Sequence, residues 1–347
     1  MSERVDPAEL LGSLAEGFLG SRCLHVAVNL GLADAVTDEP RSVADVAEQV
    51  GADAGALGRV VRHLAALGVF ACAGERIGHN DASRLLRADD PGGLAPLIRM
   101  LGLPVIWESV GHLEEAVRRG RPGTSFVDPE GFFSYLDGHP EESQVYDEGM
   151  SAMTLRRVAR MVPRYDFTPF GVIADIGGGR GHLLRAVLEQ TPGARGVLFD
   201  RAQVVGDLPP DPRIEVQAGS FFTDPLPQAD CYLLSNVVHD WSDEDAVSIL
   251  TAVRASATPS SVLLLFEFVI PDGDGDFEAT DIDVSMLALV GGRERTLGEY
   301  SDLLARSGWR ITGTVPTPVH TIIEAGPAQG EAAERDVEGS DAEQDGT

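Results

Sequence analysis

The stretch that decides the fold is Val172-Ile173-Ala174-Asp175-Ile176-Gly177-Gly178-Gly179-Arg180-Gly181-His182. An apolar run ends in an acid and a cluster of glycines, then passes into a helical pattern. That order describes a buried strand feeding a tight turn into a helix, the ligand-binding edge of an open α/β sheet. The glycines fall as Gly177-x-Gly179-x-Gly181, and His182 stands where a dinucleotide-binding turn wants its third glycine. Asp175, just before the turn, would repel a pyrophosphate. A ligand with a cationic or hydrogen-bond-donating head fits better.

Downstream of Val172 the pattern alternates strand and helix. Strands are expected at 172–176, 195–199, 214–218, 230–235 and 262–268, with helices beginning near His182, Arg201 and Asp243. Two further strands, at 310–315 and 319–324, lie too close for a crossover helix and must form an antiparallel hairpin. The expected fold class is α/β: a Rossmann-like sheet of five parallel strands closed by a C-terminal antiparallel hairpin, with a mainly α N-terminal domain.

Upstream, residues 8–36 carry helical apolar stripes, Ser42 is an N-cap candidate and Asp45 an acid in the first turn that follows. A second helix is expected from Asp53 to Leu67. Two short strands should follow, at Gly68–Phe70 and Ile77–Asn80, around a turn at Gly74. Helix, helix, hairpin is a winged-helix arrangement. Its second helix offers only Arg59, Arg62 and His63 as basic groups, so packing or dimerisation is expected of it rather than DNA contact. Residues 96–165 read as helical and rich in large side chains, suited to core and to a pocket for a flat apolar substrate. The expected organisation is residues 1–95 winged-helix-like, 96–165 a helical linker and pocket region, 166–328 the ligand-binding Rossmann-like domain, and 329–347 a disordered acidic tail.

At 347 residues the chain can hold two cores, and its net charge of −28 argues against nucleic acid. All 27 basic residues are arginine, which excludes a Schiff-base lysine, a P-loop lysine and pyridoxal-phosphate chemistry. Cys23, Cys72 and Cys231 stand far apart with no CxxC, so neither a metal site nor a disulfide framework is expected. The N-terminal residues lack a signal-peptide pattern, and no apolar run approaches a membrane span. A cytoplasmic protein with no membrane partner is expected.

Two residues add chemistry to the glycine turn. Asp200 ends the second strand 23 residues after Gly177, close to the spacing at which an acid grips both hydroxyls of a ribose. A cationic ligand with a ribose points to S-adenosylmethionine rather than NAD. His239 follows the fourth strand and arrives at the same sheet edge, where an imidazole suits removal of a proton near neutral pH.

Ser235-x-x-x-His239-Asp240-Trp241-Ser242-Asp243 and Gly291-Gly292-Arg293-Glu294-Arg295-Thr296 resemble the signature of S-adenosylmethionine-dependent O-methyltransferases of the plant caffeic-acid and bacterial polyketide or phenazine type. Gly131-Phe132-Phe133-x-Tyr135-Leu136, Gly149-Met150-Ser151 and Asp281-x-Asp283-x-x-Met286-Leu287 extend the resemblance, which covers residues 10 to about 325.

The resemblance implies that His239 is the general base, with Glu267 and Glu294 orienting its imidazole. It implies that Ser151, Asp175 and the Gly177, Gly179 and Gly181 turn hold the methionine end of the cofactor, Asp200 the ribose, and Asp240 the cofactor side. Ser220, Phe221 and Ser235 join that cofactor set. Trp107, Phe133, Met150, Asp283, Met286 and Leu287 would wall the acceptor, a hydroxylated aromatic molecule of secondary metabolism. The family is metal-independent and homodimeric.

Two positions depart from the family pattern. Gly219-Ser220-Phe221-Phe222 lacks the acid that many relatives carry there to accept from the adenine amine, and Ser235 replaces a lysine of the plant relatives. C-methylation, hydroxylation or decarboxylation on the same fold, and a winged-helix regulator, are the alternatives. Retention of His239, Glu267 and Glu294 favours O-methylation over all of them.

Overall fold

The computed structural model describes residues 6–90, 92–271, 273 and 277–328; the acidic tail anticipated at 329–347 lies outside them. The N-terminal part contains a three-stranded sheet, β1 (Arg41–Ser42), β2 (Ala71–Ala73) and β3 (Arg76–Gly78), in the order β1-β3-β2. Two helices precede the β2–β3 hairpin, Val43–Val50, started by the expected cap Ser42, and Ala54–Ala66, for which Asp53 proves to be the cap rather than the first helical residue. Ser42 Oγ accepts from the Asp45 amide at 3.1 Å and Asp53 from the Ala56 amide at 2.8 Å. The first wing strand begins at Ala71 rather than Gly68. Residues 67–69 are consumed in ending the helix: Gly68 takes φ +83° and the Val69 amide reaches back to the Leu64 carbonyl. The two-residue β1 is an addition that the sequence pattern did not signal.

The long helix Pro7–Asn29 buries His25, Ala27 and Val28 at its C-terminal end. Toward its start Leu10, Leu11, Leu14, Phe18 and Leu19 stay exposed. None of the helices among the described residues is long and apolar enough to cross a membrane.

Helices Ala95–Leu101, Pro104–Gly111, Leu113–Arg119, Phe132–Gly138 and Pro140–Met161 fill the middle of the chain. Met100 and Phe132 belong to a small core there, with Leu103, Val105, Ile106 and Leu136.

The main sheet contains β4 (Val172–Ile176), β5 (Arg195–Asp200), β6 (Ile214–Ala218), β7 (Cys231–Ser235), β8 (Val262–Glu267), β9 (Trp309–Pro316) and β10 (Thr321–Pro327). Its order is β6-β5-β4-β7-β8-β10-β9; the first five strands are parallel and β10 joins β8 and β9 antiparallel. The central β7 and β8 are covered on both faces and read as continuous apolar runs, whereas the edge strand β9 buries Trp309 and then alternates exposed and half-buried residues. One face packs Ile249, Leu250 and Val253 of helix Asp243–Ser256 with Leu303 and Trp309; the other packs Leu184, Val187 and Leu188 of helix His182–Gln190 with Val158 and Met161.

The chain leaves β4 toward β5 on one side and returns to β7 on the other. Strand order reverses at that point, and a crevice opens beyond the carboxyl ends of β4 and β7. The glycine turn and the segment around His239 both emerge into it.

Candidate active site

Beyond β4 and β7 lies a cavity of about 280 Å³ lined by Met150, Ser151, Asp175, Gly177, Gly179, Asp200, Ser220, Phe221, Ser235 and Asp240, among others. Gly177 has φ +69°, and a Cβ there would stand 2.9 Å from a Val237 methyl. Only glycine lets this backbone turn so close to the β7 loop. Asp200 accepts from the Gly179 amide at 2.7 Å and from the Arg201 amide at 2.7 Å. One carboxylate thus ties the glycine turn to the end of β5, and each oxygen keeps a lone pair for a ligand hydroxyl.

Asp175 is buried, and among the described residues neither of its carboxylate oxygens has a hydrogen-bond partner. Burial, with the charge of Asp200 behind it, pushes its pKa up to about 7. An acid held in this state is ready to ionise when a cation arrives. Across the cavity Phe133, Phe221 and Phe222 surround Trp241, with ring centroids 6.2, 5.7 and 4.8 Å from its ring. Trp241 Nε1 is buried and unpartnered, which leaves a donor within an aromatic collar.

The turn Val238–Asp240 carries the second half of the site. Val237, Asp240 and Trp241 line the cavity, while His239 is buried behind them. Its Nδ1 lies 2.6 Å from Glu294 Oε1 and 3.7 Å from Glu267 Oε2; its Nε2 lies 3.4 Å from Asp240 Oδ1 and takes no hydrogen bond among the described residues. Glu267 is itself oriented, accepting through Oε1 from the Val237 and Val238 amides at 3.2 and 2.9 Å.

Burial alone would depress the His239 pKa. Glu267, Asp240 and Glu294 outweigh it and raise the pKa to about 10. Burial raises Glu267 to about 7 and Asp240 to about 6, against the attraction of His239. The centre is therefore a strongly basic imidazole with Nδ1 ordered by Glu294 and Nε2 facing Asp240 at ion-pair distance.

A loop clamps this turn. The Arg293 amide donates to the His239 carbonyl at 2.8 Å, and Gly292 lies so close that a Cβ would meet that carbonyl at 1.9 Å. Arg295, wholly buried, donates to the Val238 and Trp241 carbonyls at 3.1 and 2.8 Å and forks onto Asp243 Oδ1 at 3.0 and 2.8 Å. The Glu294 amide donates to Asp283 Oδ1 at 2.9 Å.

The structure thus gathers His239, Glu267 and Glu294, and separately brings Ser151, Asp175, Gly177, Gly179, Asp200, Ser220, Phe221, Ser235 and Asp240 to one cavity with Phe133 and Met150. Gly181 stands behind the turn as the cap of helix His182–Gln190. Trp107 does not line the cavity: its indole faces the first helix, edge-on to His25, with the Arg22 guanidinium over it. Asp283 is engaged in holding the Glu294 backbone rather than presented to an acceptor. Met286 and Leu287 sit on helix Phe277–Leu289, outside the cavity lining.

Sequence reasoning placed Tyr146 only within the helical region suited to core and pocket, and did not single out Asp147, Thr154, Asn236 or Phe222 as site residues; all of them line the cavity. Helical spacing from Met150 and Ser151 would have found Tyr146, Asp147 and Thr154.

Residues 110–310 match the family model of the O-methyltransferase domain, and residues 13–89 that of the O-methyltransferase dimerisation domain. The chain belongs to the O-methyltransferase family. Phenazine O-methyltransferase PhzM of Lysobacter antibioticus is 34% identical over 339 residues, 93% of this chain and 97% of that protein. The mitomycin biosynthesis 6-O-methyltransferase of Streptomyces lavendulae is 31% identical, over 90% of this chain and 92% of its own length. The crystal structure of human N-acetylserotonin methyltransferase in complex with SAM superposes with a TM-score of 0.86 at 27% identity, covering 95% of this chain and 100% of that one.

As a member of the O-methyltransferase family, the protein catalyses methyl transfer with S-adenosylmethionine as donor. The cavity fits that cofactor on its own chemistry. The unpartnered Asp175 carboxyl suits a cationic group, Asp200 suits hydroxyls, and the aromatic collar suits a flat base.

Proposed function

We propose that the protein methylates a hydroxyl of an aromatic small molecule, with His239 as general base, in the making of a secondary metabolite. The observation that carries this is the His239 geometry: Nδ1 fixed by Glu294 at 2.6 Å and Nε2 free of hydrogen bonds. The phenazine and mitomycin relatives give the aromatic class its support.

Asp200 would take the ribose hydroxyls, Asp175 and the Gly177–Gly181 turn the methionine end with Ser151, and Phe221, Ser220 and Trp241 the adenine. S-adenosylmethionine, when bound, supplies a methyl group on a positively charged sulfur. His239 Nε2 receives the proton of the acceptor hydroxyl as the oxygen becomes nucleophilic, worth roughly 10²–10⁴-fold in rate. The surrounding carboxylates raise the proton affinity of the imidazole, which strengthens it as a base in the neutral form that must be present to receive the proton. Glu294 keeps the developing imidazolium paired, and Glu267 ties the same turn to the end of β8. Phe133 and Met150 close the cavity and exclude water from the reacting oxygen.

The reading further includes a homodimer formed through residues 1–95, with residues 96–165 as the pocket region and 166–328 as the cofactor domain. The exposed Leu14 and Phe18 face supports this. Phe18→Asp would then give a monomer in light scattering.

The test is calorimetric titration with S-adenosylhomocysteine and NAD, followed by a screen of phenols for a mass gain of one methyl. Micromolar binding of the first alone, with His239→Ala losing at least a hundredfold in methylation rate, is the expected result. A His239→Ala protein that keeps most of its rate overturns the base assignment.

A further inference from the structure

The cofactor cavity holds a donor that the fold leaves unused. Three tryptophans occur in the chain. The Trp107 indole donates to the Leu101 carbonyl at 3.1 Å and the Trp309 indole to the Leu250 carbonyl at 3.0 Å. Trp241 lines the cavity, and its Nε1 is buried and meets no acceptor among the described residues. The ring is held firmly in that position. Arg295 donates to the Trp241 carbonyl at 2.8 Å, Phe133 lies against the indole with planes 25° apart, and Phe221 and Phe222 abut it at 89° and 78°. A buried N–H fixed in this way costs free energy until an acceptor reaches it.

The acceptors on the same wall are already engaged. Ser220 Oγ takes the Phe222 amide at 3.3 Å, and the Ser220 carbonyl takes the Thr223 and Asp224 amides at 3.1 and 2.8 Å. Asp224, the acid of this loop, takes the Ser220 amide at 2.8 Å and does not line the cavity. Asp240, next to Trp241 in the chain, faces His239 Nε2 at 3.4 Å. The loop is tied beside the end of β5, where the Asp200 carbonyl accepts from the Gly219 amide at 3.0 Å.

We propose that Trp241 Nε1 donates to a ring nitrogen of the cofactor's adenine and that the exocyclic amine of the base goes unread, so that the protein also takes a cofactor whose purine lacks the amine. This rests on the adenine assignment above and supplies its chemistry. With the ribose at Asp200, the base falls between the Gly219–Phe222 loop and Trp241. Adenine offers acceptors at N1, N3 and N7 and a donor only at its amine. A wall with a free donor and engaged acceptors is complementary to the ring nitrogens and not to the amine. The aromatic collar grips the purine through its faces and edges whatever group stands at position 6.

The experiment is calorimetric titration of the full chain with S-adenosylhomocysteine, its analogue lacking the amine, and its 1-, 3- and 7-deaza analogues. In the unaltered protein the amine-free analogue binds within threefold of S-adenosylhomocysteine. One deaza analogue binds about tenfold more weakly, the effect of losing a hydrogen bond to a buried donor. In Trp241→Phe that deficit falls below threefold, because the donor it depended on is gone. An amine-free analogue more than threefold weaker, deaza analogues that all bind alike, or a deficit that survives Trp241→Phe overturns the proposal. Failure of S-adenosylhomocysteine itself to bind overturns the cofactor assignment along with it, whereas normal affinity with the wrong analogue profile overturns this inference alone. A second readout is independent of how well Trp241→Phe folds. Protein labelled with ¹⁵N-tryptophan gives three indole signals, and Trp107→Phe and Trp309→Phe assign that of Trp241 by elimination. The Trp241 signal should move downfield with S-adenosylhomocysteine and with the amine-free analogue, but not with the weakly bound deaza analogue. A signal that stays in place with S-adenosylhomocysteine, or moves alike with all five ligands, overturns the proposal.

Discussion

Replacing Glu294 by Gln keeps the shape of the side chain and a neutral acceptor for His239 Nδ1, while removing one buried negative charge at 2.6 Å. A hydrogen bond to a charged group contributes about 1.5 kcal/mol more than a neutral one. One pKa unit corresponds to about 1.36 kcal/mol, so the imidazole pKa should drop by about one unit from its raised value near 10. The same energy, withdrawn from the imidazolium that forms as the acceptor loses its proton, costs about tenfold in rate. Titration of ¹⁵N-histidine-labelled protein by NMR reads the first quantity; with eight histidines, a His239→Gln spectrum assigns the signal. The pH profile of the methylation rate reads the second, its acid limb moving to lower pH by the same unit. A His239 signal that titrates near the ordinary value of 6.5, or one that does not move in Glu294→Gln, would refute the electrostatic account of the base.

Three further outcomes are expected. Asp175 has a pKa near 7, so binding a cationic cofactor at pH 6.5 should lower it and release protons; calorimetry in buffers of different ionisation enthalpy will show the release, and Asp175→Asn will abolish it. Arg295→Lys keeps the charge but not the fork that spans Val238, Trp241 and Asp243, and should cost about 3 kcal/mol in urea unfolding together with most of the activity. Thermal stability should decline with rising pH. The His239 pKa is raised on folding, so its stabilising contribution is complete below pH 6.5 and is lost as the pH climbs through about 10. Glu267 and Asp175, raised to about 7 by burial, act in the same sense, their contributions present below the ordinary carboxylate range and lost through pH 7. A melting temperature that rises between pH 6 and 10 would contradict all three shifts.

Much of this architecture was legible because buried parallel strands announce themselves. Val172–Ile176 runs as the apolar pattern places it and Cys231–Ser235 starts one residue late, while the edge strand Ile214–Ala218 has the expected bounds with only Ile214 buried. The cofactor cavity was legible for a related reason: parallel strands deliver Asp175, Asp200 and Ser235 to one edge whatever lies between them. Side chains whose partners are distant in the chain were not legible. Trp107 looked like a pocket wall, yet its rotation about its helix is set by His25 and Arg22, some 80 residues earlier. Asp283 looked like an acceptor contact and instead holds the backbone that carries Glu294. Arg295 stood in a quoted motif with no role, because only the fold brings Val238, Trp241 and Asp243 within its reach.

The clamp on the Val238–Asp240 turn separates two tasks that evolution can then alter one at a time. Everything that governs the base is anchored to the ends of β7 and β8 and to the loop around Glu294, while the Met150–Thr154–Arg157 stripe belongs to a single helix. Residues at 150 and 154 can change to admit a differently shaped molecule without disturbing how the imidazole is held. Position 157 is the exception, since its charge is felt at Glu294. Exchanging it for a neutral residue therefore reaches beyond the stripe, removing a positive charge that Glu294 and His320 both feel.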